Sequence, residues 1–190
     1  MDNTEGSLTK EQKEILVGVL LGDGAMRKKT QALLEINHSI KQKELVDWLY
    51  AKFKDFVGTA PKARLGNGNR VAYRFTTRSL PVFTQFYDWF FKDKGKIIPG
   101  NLEITPLTLA CWYMDDGSCC DRDIYLNSQQ FNQEEQEKLC LLLQKQQNIQ
   151  ASLNKDKIYW RIRIKKASVQ KFMDLIREYM LPSFNYKLLP

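Results

Sequence analysis

The chain has 190 residues, 43% hydrophobic and 27% charged, which suits an ordinary globular protein with one core or two small ones. The apolar run Ile15 to Leu21 is too short to span a bilayer and follows an acidic, polar start, so the reading is of no signal peptide, transit peptide or membrane anchor. Twenty-nine Lys and Arg against 22 Asp and Glu leave a net charge of +7, which favours a polyanionic partner, and a single histidine excludes mechanisms built on several.

In chain order, Thr9 and Gln12 form a capping box that opens an apolar helix ending at Gly22-Asp23-Gly24. His38 reads as a surface or strand-end residue beside a short strand from Leu33 to Asn37. The stretch Lys43 to Phe56 predicts an amphipathic helix with Leu45, Trp48, Leu49 and Phe53 on one face. A hairpin turned by Gly66 to Asn69 leads to the alternating strand Arg70 to Thr76. A helix from Ser79 directs Phe83, Phe86 and Trp89 inward. Pro99 to Thr105 is a boundary, dividing the chain into halves 1–103 and 104–190. Thr105 caps a second apolar helix with Pro106 at its first position, and this helix ends at Asp115-Asp116-Gly117. A strand from Ile124 to Asn127, a helix from Gln133 to Lys145, a turn at Asn154 to Lys157, a strand from Ile158 to Lys165 and a helix from Ala167 complete the chain. The last helix turns Phe172, Leu175 and Ile176 inward. Cys111, Cys119, Cys120 and Cys140 lack zinc-ligand spacing and read as free thiols in a reducing compartment.

The two halves are an internal repeat. Asp23 and Asp116 lie 93 positions apart, Lys96-Ile97-Ile98-Pro99 returns as Lys187-Leu188-Leu189-Pro190 after 91, and Tyr73-Arg74-Phe75 returns as Ile162-Arg163-Ile164 after 89. A glycine after a helix is a common stop, but an aspartate in the last turn meets the negative end of the helix dipole. Two such ends brought together point to a bound cation. Gly18 and Gly22, four apart, allow close approach of another helix, where Cys111 and Asp115 are their counterparts. Asp23 and Asp116 are the candidate ligands for a divalent ion that activates water and stabilises a departing phosphodiester oxygen, and Lys96 and Lys187 are candidate stabilisers of developing charge.

The strand Ile158 to Lys165 alternates Ile158, Trp160, Ile162 and Ile164 against Tyr159, Arg161, Arg163 and Lys165. With Arg27, Lys28, Lys29, Arg64, Asn67, Asn69, Arg70, Arg74, Arg122, Lys155 and Lys157, these cations form a candidate face for double-stranded DNA. Arginine suits both phosphate and the paired acceptors of guanine.

Leu16-Val17-Gly18-Val19-Leu20-Leu21-Gly22-Asp23-Gly24 and Leu109 to Gly117 resemble the paired motifs of the two-motif, single-chain LAGLIDADG homing endonucleases. Tyr113 to Gly117, Leu126-Asn127-Ser128-Gln129 and Pro182 to Leu188 look like the omega-intron branch, and the likeness runs from about Thr9 to Pro190. It implies an α+β fold of two pseudosymmetric αββαββα halves, with the motif helices packed at the centre and two antiparallel saddle-shaped sheets gripping a long asymmetric site. It implies magnesium, with calcium or manganese as substitutes, at Asp23 and Asp116, with Gly22 and Asp115 offering main-chain carbonyls. Lys96 and Lys187 match the supporting basic residues, and cleavage across the minor groove leaves short 3′ extensions. Cys111 and Asp115 depart from the usual small residues; Asp116 is preferred to Asp115 because Gly117 follows it. Intein residues are absent at both ends, giving a freestanding or intron-encoded monomer of a microbial cytoplasm or an organelle. The alternative is a non-cleaving maturase acting on intron RNA, or a DNA-binding regulator on the same fold.

Overall fold

A computed structural model describes residues 7–66, 70–93 and 95–189. The element order is α1 (Lys10–Leu21), β1 (Ala25–Lys28), β2 (Ala32–Ser39), α2 (Lys43–Phe53), β3 (Lys62–Leu65), β4 (Val71–Thr76) and α3 (Pro81–Phe90). A two-stranded ribbon, β5 (Phe91–Lys92) and β6 (Gly95–Lys96), follows. Then come α4 (Pro106–Asp116), β7 (Gly117–Cys120), β8 (Asp123–Leu126), α5 (Gln133–Gln147), β9 (Ala151–Asp156), β10 (Tyr159–Ile164) and α6 (Lys166–Ile176). The order αββαββα therefore occurs twice. Each set of four strands makes an antiparallel sheet of the same topology, β1-β2-β4-β3 and β7-β8-β10-β9. No helix among the described residues is long and apolar enough to cross a membrane.

The backbone groups into two compact units, one of residues 1–13 and 24–89, the other of residues 14–23 and 90–190. The boundary expected from the repeat lies between 103 and 104, whereas the compact units assign the end of the first motif helix to the second unit. The physical reason is that residues 14–23 carry an apolar surface buried together with α4.

In the first unit, Thr9 and Gln12 make the expected reciprocal cap, at 2.9 and 3.1 Å. Strand β2 buries Ala32, Leu34, Ile36 and His38 on one side, against Leu45, Val46, Leu49 and Phe53 of α2. Phe56 and Phe83 meet edge to face at 5.7 Å. Trp48 is only half-buried, and Val46 takes the core position beside Leu45. His38 is 6% exposed, so the surface placement expected of it does not hold; it faces the helices one residue before the strand ends. The helix expected from Ser79 starts at Pro81, where a missing N–H costs no helical hydrogen bond.

In the second unit, Thr105 accepts the N–H of Thr108 at 3.2 Å and Pro106 opens α4, as expected. Gly117 is not a left-handed stop: its φ is −87°, and the chain passes straight from α4 into β7. The next turn has φ of 48° at Asp121 and 65° at Arg122, the signs required by a two-residue type I′ hairpin. The turn expected at Asn154 to Lys157 is displaced to Lys157 and Ile158, leaving Asn154, Lys155 and Asp156 in β9. Lys157 takes a left-handed φ of 56°, and Ile158, expected inside, is 80% exposed. Pairing of Ile162 with both Leu126 and Leu153 keeps Ile162 and Ile164 on the buried side and forces that loop position. In α6, Met173 rather than Leu175 joins Phe172 and Ile176 in the core, where Phe172 meets Tyr113 edge to face at 5.3 Å. All four cysteines are free thiols.

Candidate metal centre and cationic sheet faces

Every residue from Ile15 to Leu21 and from Leu107 to Asp115 is buried, so these stretches of the two motif helices are enclosed on all sides. Two small residues let their backbones meet. A Cβ at Gly18 would lie 2.5 Å from the Cβ of Cys111 and 2.6 Å from the carbonyl of Thr108. At Gly22 it would lie 2.8 Å from Cγ of Asp115. The opposite ends of these segments are tied as well: Thr105 donates its hydroxyl to the Glu14 carboxylate at 2.9 Å, and Thr108 donates to the Glu14 carbonyl at 3.1 Å.

At the C-terminal ends the repeat becomes chemical. The Nζ of Lys96 donates to the carbonyls of Leu20 (2.8 Å) and Gly22 (3.1 Å) at the end of α1. The Nζ of Lys187 donates to the carbonyls of Tyr113 (3.2 Å) and Met114 (2.8 Å) near the end of α4. Each ammonium thus binds carbonyls at a helix C-terminus, of which that of Tyr113 also accepts the N–H of Gly117, and offsets the negative end of the helix dipole. Burial holds both lysines down at about 8, against the opposing pull of Asp115, Asp116 and Asp23. Tyr113 completes the second arrangement by donating its hydroxyl to the Lys187 carbonyl at 2.8 Å.

Sequence reasoning missed Gln130. Its Nε2 donates to the carbonyls of Leu21 (2.8 Å) and Gly22 (2.7 Å), and its Oε1 accepts from Lys96 at 2.6 Å. The Gly22 carbonyl, expected as a metal ligand, therefore already accepts from two side chains. The only signal for Gln130 was its place in a polar loop just before the Asn132 cap of α5.

Three carboxylates occupy the same end of the second unit. Asp23 is exposed, Asp116 is half-buried and Asp115 is 6% exposed, its Oδ2 accepting the N–H of Asp23 at 2.8 Å. Burial, and after it the charge of Asp23, pushes Asp116 up to about 7. The same causes, with Asp116 added, push Asp115 well above the usual carboxylate range. Like charges gathered out of water raise one another's proton affinity, and a cation in their midst relieves that cost. Hard oxygen donors gathered in this way fit a divalent cation of the magnesium type.

In the first unit, the register sets Lys62 opposite Arg74 and Arg74 opposite Asn37, while Thr76 opposes Glu35. Alternation places Ala25, Arg27, Glu35, Asn37, Ala72, Arg74, Lys62 and Arg64 on the face away from the helices. Arg27, Lys62, Arg64 and Arg74 line one open groove there, and Glu35 pairs with Arg27 at 2.6 Å. Lys62 had not been singled out. Lys28 alternates to the helix-covered side, where it pairs with Asp88 of α3 at 2.6 Å. Lys29 lies in the β1–β2 turn and Arg70 just before β4, both exposed. Asn67 and Asn69 lie outside the described residues.

In the second unit, Tyr125 opposes Arg163, and Arg163 opposes Ser152. The guanidinium of Arg161 lies 3.8 Å from the centre of the Tyr125 ring. Arg163 donates to Asp123 at 2.7 Å, an interaction that raises its already high proton affinity. Arg122 and Lys157 occupy hairpin turns, Lys165 sits exposed before α6, and Lys155 opposes Trp160 on the other parity of the sheet. Tyr125 and Asp123 were invisible as functional partners because strand register brings them beside arginines about 40 positions later.

Residues 13–172 match the LAGLIDADG DNA endonuclease family. A probable intron-encoded endonuclease 1 of Wickerhamomyces canadensis is 30% identical over 199 residues, covering 96% of this chain and 86% of that protein. Cytochrome b mRNA maturase bI2 of Saccharomyces cerevisiae is 28% identical over 209 residues, covering 99% of this chain but only 49% of the maturase. The solved structure of the homing endonuclease I-WcaI bound to its DNA recognition sequence superposes with a TM-score of 0.89 at 27% identity, over 100% of this chain and 94% of that one. With paired Asp-Gly motif helices, two sheets of identical topology and a family match across most of its length, the chain belongs to the LAGLIDADG DNA endonuclease family and has the homing endonuclease fold.

Proposed function

We propose that this protein is a site-specific homing endonuclease of the two-motif, single-chain kind that binds a long asymmetric double-stranded DNA site as a monomer and cuts both strands. The repeats 1–103 and 104–190 each supply one motif and one cationic sheet face. The observation that carries this reading is the convergence of Asp23, Asp115 and Asp116 at the ends of two motif helices, with a lysine at each helix end. A binder that does not cut has no use for mutually repelling carboxylates whose gathering raises the proton affinity of Asp115 and Asp116 and costs stability.

Asp23 and Asp116 are assigned to divalent ions, magnesium by preference and calcium or manganese as substitutes. Such ions supply an activated water and stabilise the departing oxygen. Lys96 and Lys187 hold the helix ends rigid and keep positive charge where phosphate charge develops. The open cations of the first sheet provide phosphate affinity, and Arg161 and Arg163 of the second are oriented to read base edges. The likeness of Tyr113 to Gly117 and Leu126 to Gln129 supports kinship with the omega-intron branch. We assign an organelle or a microbial cytoplasm as the compartment.

The test is incubation with supercoiled plasmids bearing a randomised insert, with and without magnesium, followed by sequencing of cleaved ends. The expected result is magnesium-dependent linearisation at one sequence family with 3′ extensions. An Asp23→Ala/Asp116→Ala variant should bind the selected site within a few-fold of the parent yet not cut. Tight binding without cleavage in magnesium or manganese overturns the reading. A second reading, assistance to intron RNA folding, is favoured by the maturase relative, and acceleration of splicing of an intron transcript by the non-cutting variant would reveal it.

A further inference from the structure

The two motifs differ at the residue before the final acid, which is Gly22 in the first and Asp115 in the second. Asp116 is the last residue of α4, and its carbonyl accepts the N–H of Asn127 at 3.0 Å, so helix and strand together orient it. Asp23 lies two residues beyond the end of α1 and is exposed. Its N–H is held at 2.8 Å by the buried carboxylate of Asp115, a contact across 92 positions of chain. The missing side chain of Gly22 is what admits that carboxylate, since a Cβ there would lie 2.9 Å from the Cβ of Asp115. A carboxylate accepting a main-chain N–H is among the stronger hydrogen bonds a protein makes. The two motifs are therefore complementary at this point, one supplying space and the other an acceptor.

We propose that Asp115 is a positioning residue that acts through Asp23: its carboxylate fixes the main chain from which Asp23 projects and so sets the rate at which the Asp23-dependent DNA strand is cut. The rate effect rests on the nuclease function proposed above; the fixing of Asp23 does not.

The test compares Asp115→Ala, which removes the acceptor, with Asp115→Asn, whose Oδ1 still accepts the N–H but carries no charge. Each is incubated with magnesium and a supercoiled plasmid carrying the selected site, and nicked and linear products are resolved in time. Asp115→Ala should accumulate nicked circle, with one strand slowed roughly ten-fold or more, whereas Asp115→Asn, at whatever overall rate, should cut the two strands in the parent's ratio and accumulate no greater share of nicked circle than the parent. Equal slowing of both strands in Asp115→Ala, or nicking by Asp115→Asn to the same extent, overturns the proposal. Hydrogen exchange of the Asp23 amide, followed by NMR without DNA or metal, separates this idea from the nuclease reading. Protection should persist in Asp115→Asn and vanish in Asp115→Ala, and persistence in both variants overturns the positioning role whether or not the parent cuts DNA. Should Asp115→Ala fail to fold, Asp115→Asn decides alone: a parent-like amide and a parent-like ratio of nicked to linear product support the proposal, and a lost amide protection or a raised share of nicked product overturns it.

Discussion

The sheets β1-β2-β4-β3 and β7-β8-β10-β9 share strand order, direction and helical cover, yet they treat their cations in different ways. In the first, Arg27, Lys62, Arg64 and Arg74 line an open groove, with Glu35 as the acid paired to two of them. In the second, the Arg161 guanidinium lies over the Tyr125 ring and Arg163 is tied to Asp123. A duplicated fold keeps its topology because a one-residue slip would expose the core, whereas outward side chains diverge freely. On the function proposed above, the first face suits phosphate attraction at a distance, and the second, with its arginines held in place beforehand, suits discrimination over raw affinity.

Four measurements sharpen or break that contrast. The largest effect is expected from Arg27→Gln/Arg64→Gln/Arg74→Gln, which should weaken DNA binding about 100-fold at moderate salt and lower the salt slope by roughly three. Fluorescence anisotropy across a salt series checks it, and a preserved slope would remove the first sheet from the DNA-binding surface. Next, Tyr125→Ala frees Arg161 and should cut discrimination at one base position by roughly five-fold with the salt slope unchanged. Competition among single-substituted sites gives the answer, and uniform weakening across all sites would mean that Tyr125 contributes only to packing. A smaller change should follow Asp123→Asn. Releasing Arg163 should raise affinity for unrelated DNA by about two-fold and steepen the salt slope by about one. Weaker binding in the same titrations would show that the ion pair, rather than the free guanidinium, engages DNA.

The last measurement concerns the clustered acids of the second unit and reads stability rather than binding. Asp116 stands at about 7 in the folded chain against an ordinary 3.8, so the native state takes up a proton first. Its stabilising contribution is complete below the unfolded value and is lost as the pH rises through about 7. Lys96 and Lys187, lowered to about 8 from 10.5, act in the opposite sense, with stability recovering as the pH climbs above 8. The metal-free melting temperature should therefore pass through a minimum between about 7 and 8. Asp116→Asn should flatten the acidic limb and magnesium should fill the minimum. A monotonic profile in scanning calorimetry would break the assignment.

Much of the site was legible because it was written twice. Asp23 and Asp116, and Lys96 and Lys187, were picked out by recurrence at nearly constant spacing, which no single copy could have justified. The strand-and-helix order followed from periodicity and caps, above all Thr9 with Gln12 and Thr105 with Pro106. Turn positions were less legible. The β9–β10 loop moved to Lys157 and Ile158 because cross-strand pairing of Ile162, not the turn propensity of Asn154 and Asp156, settled the register. Gln130 and Lys62 escaped notice because neither belongs to a recurring pattern.

The amino-acid sequence by itself determined the duplication, the apolar motif helices, the paired acids and the basic balance, since all are properties of composition and spacing along one chain. Only the tertiary structure decided that the lysines hold helix carbonyls, that Gln130 joins them, that Lys28 faces away from its neighbours, and that Asp115 reaches Asp23. Those facts depend on which side chains meet after 40 to 110 intervening positions. Periodicity within one element carries no record of such meetings; burial and register create them.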